Sequence, residues 1–85
     1  MIRDEAVEAA IDEGRAFILE AELAANAAVQ EDKDRQRLTV WLTFARHNLR
    51  KAERARKDVW RASALEDVKT YTDSVKHLVA LRAAP

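Results

Sequence analysis

The sequence predicts an all-α fold: a small helical bundle made of a long antiparallel helical hairpin and a shorter third helix. Three observations carry this. Gly and Pro occur once each in 85 residues, at Gly14 and Pro85, whereas β proteins and loop-rich proteins need both for their turns. Alanine supplies 17 of the 85 residues, and it favours helix because it loses no side-chain entropy there. Apolar residues recur at alternating three- and four-residue steps, the period of one helix face.

The length fits a single all-helical domain, residues 1–85. A chain this short buries only roughly 60% of the surface its unfolded form exposes. Its 48% hydrophobic content overstates the core, because Ala adds little burial. Disulfides and thiolate zinc sites are excluded, since there is no Cys. Close helix packing or oligomerisation must supply the rest of the stability.

The first helix is predicted over residues 4–30. Its stripe is Val7, Ile11, Gly14, Ile18, Ala21, Ala25 and Ala28, with heptad-like, coiled-coil spacing. The C-terminal half is all Ala, so a second helix can approach closely there. Gly14 costs about 1 kcal/mol against Ala in a helix, and a close helix crossing is its compensation.

Residues 31–37 contain no apolar residue. Continuing the first stripe in sevens lands on Asp32, Arg35, Thr39 and Leu42, but the stripe after the gap is Leu38, Leu42, Ala45, Leu49, Ala52, Arg56 and Val59. The phase slips, which predicts a turn near residues 31–35 with Asp32 or Asp34 as the next N-cap. The second helix is predicted over residues 35–61. Trp41 joins its core face, Arg56 interrupts that face, and Val40 and Phe44 lie on a second one.

Ser63-Ala64-Leu65-Glu66 has the form of a capping box. Asp67 adds first-turn negative charge. A third helix follows over residues 64–82, with the stripe Leu65, Val68, Tyr71/Thr72, Val75 and Leu78/Val79.

Net charge is zero, yet the charges are segregated. Residues 1–34 hold ten acids and three bases, residues 35–61 nine bases and two acids, and the remainder three of each. A hairpin turning near residue 33 would set Glu20 near Arg46, Asp12 near Arg54 and Glu5 near Arg61. Such flanking pairs fix register more than they stabilise, since exposed pairs contribute about 0–1 kcal/mol each.

For function, the leading expectation is a non-enzymatic helical protein–protein interaction module, such as a small adaptor, assembly factor or inhibitor of bacterial or phage origin. Self-association, as a homodimer first, fits the limited core. Its interface anchors are Leu19, Leu23, Val40, Trp41 and Phe44, with Arg46, Arg50 and Arg54 as the charged rim; aromatic and Arg residues are the usual hot spots. Trp60 and Tyr71 are expected in or at the edge of the core, and Phe17 flanks the first stripe. The alternative is nucleic-acid binding by a basic ridge of Arg46, Arg50, Arg54, Lys57 and Arg61, spaced 4, 4, 3 and 4, which could track phosphates.

Other chemistry lacks support. There is no Gly-rich phosphate loop, nucleophile elbow or Cys/His pair, so no catalytic residue and no cofactor is assigned. Asp73 and His77 share a helix face, but two ligands do not close a metal site. The longest apolar run is far below the ~18 residues of a membrane span. The start, Met1-Ile2-Arg3-Asp4-Glu5, is charged from its third residue and lacks a signal-peptide core. A cytoplasmic location is the expectation.

Overall fold

The computed structural model describes residues 4–28 and 31–83, and all but five of these are helical. There are three helices among them: α1, Glu5–Ala28; α2, Asp32–Arg54; and α3, Asp58–Ala83. They form an all-α bundle about 49 Å long and 18 by 15 Å across. The predicted end of the first helix at Gln30, the side chain of Ala28, the signal-peptide reading of the first three residues and Pro85 lie outside the described residues.

α1 begins on a side-chain cap. Asp4 Oδ1 accepts the Ala6 N–H at 2.9 Å, and Glu5 and Glu8 put negative charge on the first turn, where the dipole favours it. Ile11, Gly14, Ile18, Ala21 and Ala25 of its stripe are buried. α2 starts from Glu31, whose extended backbone turns the chain without a side-chain cap bond. Lys51 and Arg54 close it with positive charge at the C-terminal end of the dipole.

The core pairs small residues with large ones. At one end Ala21 and Ala25 face Leu38, Leu42, Val75 and Leu78, with Trp41 and Val79 packed on the outside. In the middle Ile18, Ala45 and Val68 meet, flanked by Leu49 and Tyr71. Gly14 sits where all three helices converge. A Cβ there would lie 3.2 Å from both Leu49 Cδ1 and Leu65 Cδ2. The close crossing expected at this glycine is present, and it involves α3 as well as α2.

The break between the second and third helices lies earlier than residues 61–64. α2 ends at Arg54, and Ala55 takes an extended conformation. Ser63 is an exposed residue inside α3, not an N-cap. The physical reason is Arg61, whose side chain is only 15% exposed. Its guanidinium folds back under the turn, donating to the Ala55 carbonyl at 2.9 Å and to Asp58 at 2.6 Å. The interrupting Arg56 marked the true end of the α2 stripe; it lies in the turn. At the first turn, Glu31 is the N-cap in place of Asp32 or Asp34.

The charge pairing also differs in register. Arg15–Glu53 and Glu22–Arg46 join α1 to α2 antiparallel, two residues away from the pairing expected. A two-residue shift turns a side chain roughly 200° about the helix. Glu20 therefore faces α3, where Lys76 donates to it at 2.9 Å. Asp12 binds Arg15 on its own helix, and Arg61 binds Asp58. The most extensive packing is between α2 and α3, and the least between α1 and α2.

Candidate binding surfaces

The anchors inferred from the sequence fall on two faces. On α1 the flank toward α2 carries Arg15 and Glu22, and the flank toward α3 carries Glu20 and Phe17, both in reach of Lys76. Leu19 and Leu23, 57% and 61% exposed, occupy the outer face opposite the buried stripe. On α2, Arg46 points toward α1 and bonds Glu22 through Nε and Nη2. Phe44 lies on the other flank, stacked on Tyr71 of α3 with ring centroids 5.4 Å apart. Val40 precedes it by one turn and is half exposed. Trp41 is half-buried against the core and, with Lys33, Gln36, Arg37 and Val40, lines a shallow groove of about 450 Å³. Leu19 and Leu23 thus form one strip; Val40, Phe44 and Tyr71 form another, separated from it by the back of α2.

The basic ridge is not continuous. Arg46 is held by Glu22 and Arg61 is folded beneath the turn. Lys57 lies in the turn, its Nζ 4.8 Å from the Trp60 ring centre. Arg50 and Arg54 remain together, and the fold adds neighbours to them. His47, Arg50, Lys51, Arg54, Ala55, Arg56 and Trp60 line an open groove of about 660 Å³ at the α2–α3 corner. Trp60 is 58% exposed. It is a groove wall, which corrects the expectation that it belongs to the core. No sequence period could have joined it to Arg50, because the turn at Ala55 brings them together.

One further pair escaped the sequence reading. Asp34 is buried, 3% exposed, and accepts two hydrogen bonds from Arg82, at 2.6 Å from Nε and 3.2 Å from Nη2. Those bonds hold its carboxyl below its ordinary pKa against the opposing effect of burial. Arg82 is raised by the same contact. Arg15 is likewise raised, first by its bond to Glu53 and then by Asp12. A signal for Asp34 existed: it stands four residues before Leu38, on the backward extension of the α2 stripe.

Among the described residues, no three His, Cys, Asp or Glu side chains gather as a metal site would require. No helix among them is long and apolar enough to cross a membrane. Comparison with known proteins finds no matching family model, no matching curated protein and no matching solved structure.

Proposed function

We propose that this chain is a non-enzymatic helical protein-interaction module that self-associates. The single observation behind this reading is the balance of large apolar side chains. Seven are buried in the core: Ile11, Ile18, Leu38, Leu42, Val68, Val75 and Leu78. Seven others, Leu19, Leu23, Val40, Phe44, Val59, Trp60 and Leu81, are 45–70% exposed. Scattered surface leucines are ordinary, but gathered strips mark interfaces.

The two strips complement one another. Leu19 and Leu23 stand one turn apart on an acidic helix, with Glu20 between them. Val40 and Phe44 stand one turn apart on a basic helix beside Lys33 and Arg37. An amphipathic helix seated in a groove between two others is a common recognition mode. The proposed contact places the Leu19–Leu23 face of one copy on the Val40–Phe44 strip of the next, with a dimer as the smallest assembly. The Val40–Phe44 strip against itself would oppose the Lys33 and Arg37 of both copies.

This reading fits a cytoplasmic adaptor, assembly factor or inhibitor of bacterial or phage origin. The test is sedimentation equilibrium at micromolar concentrations. A mass above one chain, reduced to one chain by Leu19→Glu with Leu23→Glu, supports it; a monomer throughout rejects it.

A further inference from the structure

We propose that the α2–α3 corner binds single-stranded nucleic acid, with Arg50, Lys51, Arg54 and Arg56 on the phosphates and a base stacked on Trp60. The site is independent of the self-association surface and shares no residue with Leu19, Leu23, Val40 or Phe44.

The first support is where positive charge gathers. Arg15, Arg46, Arg61, Lys76 and Arg82 each hold a carboxylate, while Lys33, Arg35, Arg37 and Lys69 enter no salt bridge among the described residues and line no shared groove with the corner. The four corner cations take part in no salt bridge among the described residues. They crowd one groove with His47, and the nearby Asp58 is already bound by Arg61. Cations lining one groove give it a positive potential, which draws an anionic ligand. At this end of the bundle Asp12 and Glu53 are both held by Arg15.

The second support is the chemistry of the wall. Trp60 offers an exposed indole beside the cations, and Lys57 helps hold it in place. Bases stack on aromatic side chains whatever their identity, while a positive groove follows the backbone. A peptide of Asp and Glu alone would use the cations but give the indole no ring to stack on. A duplex hides its base faces, so a single strand is the form that satisfies both features. Arg50 and Arg54 stand one turn apart, roughly 6 Å along α2, which lets them address successive phosphates. The volume of about 660 Å³ falls within the range of small-ligand sites.

The experiment uses the full chain carrying Trp41→Phe, which leaves Trp60 as its one tryptophan. Oligothymidylate is titrated while Trp60 fluorescence and the anisotropy of a labelled oligomer are followed over a salt series. Quenching should accompany binding, and log affinity should fall against log salt with a slope of about −3, for four phosphates at roughly −0.7 each. Arg50→Ala with Arg54→Ala should halve that slope, whereas Arg50→Lys with Arg54→Lys should keep it. Trp60→Ala, in the otherwise native chain, should weaken anisotropy-detected binding about fivefold or more, with the helical circular dichroism unchanged. Four results would each overturn the site: no binding of oligothymidylate, or equal binding of polyglutamate, of duplex DNA or of inorganic polyphosphate.

Discussion

Arg82 Nε donates to Asp34 Oδ2 at 2.6 Å across 48 residues of sequence, tying the last turn of α3 to the first turn of α2. This bond closes the end of the bundle opposite the α2–α3 corner, and it makes stability depend on acid.

The folded pKa of Asp34 lies below its ordinary value. Its contribution is therefore fully present above the unfolded carboxylate range, near pH 4, and is lost as pH falls through the lower folded value. Asp34→Asn should lower the urea midpoint at pH 7 and flatten the acid side of the stability profile. Arg82→Ala should be more harmful at pH 7, because it leaves a buried carboxylate without its partner. Urea unfolding followed by circular dichroism between pH 3 and 7 checks both; an unchanged acid slope in Asp34→Asn would count against this assignment.

Gly14→Ala sets about 1 kcal/mol of helix propensity against two leucine methyls at 3.2 Å. Those methyls end flexible side chains and can move by tenths of an ångström, so the two effects nearly cancel. Gly14→Leu cannot be accommodated that way and should cost about 1–3 kcal/mol. For a chain this size that corresponds to a melting point lower by roughly 4–8 °C per kcal/mol. Adding Leu65→Ala should recover part of the loss, because it opens space at the same crossing.

The position of the second turn gives a paired test. Arg61→Ala removes the donors to the Ala55 carbonyl and Asp58 and should cost about 1–3 kcal/mol. Ser63→Ala, inside an exposed stretch of α3, should change stability by no more than about 0.5 kcal/mol. An N-cap serine would instead lose about 1 kcal/mol. Thermal melts of the two variants decide between a turn at Ala55 and one at Ser63.

Self-association through two different strips predicts complementation. Leu19→Glu with Leu23→Glu removes one strip, and Val40→Glu with Phe44→Glu removes the other. Each double variant alone should run as a single chain in size-exclusion chromatography with light scattering. Mixed, they should form a one-to-one pair that grows no further, because each retains the strip the other lacks. An interface that used one patch on both copies would give no pair on mixing.

The sequence by itself determined the helical class, the break that ends the first helix near residue 32 and nearly all of the buried stripe, although α2 begins at Asp32, three residues before the start expected for it. Those features follow from local quantities: helix propensity, the near absence of Gly and Pro, and a 3.6-residue apolar period interrupted at residue 32. It also held the clue to the second turn, since Arg56 breaks the α2 stripe; the capping pattern at Ser63 pointed elsewhere because a cap is a local preference. Tertiary packing decided the rest. The convergence at Gly14 set the helix registers, so Glu20 went to Lys76 and Glu22 to Arg46. Arg61 bent the chain at Ala55 by bonding a carbonyl six residues back. That bend carried Trp60 to Arg50 and Arg54, and the bundle closed Asp34 against Arg82. These pairings depend on which helix lies beside which, and no single stretch of residues contains that information.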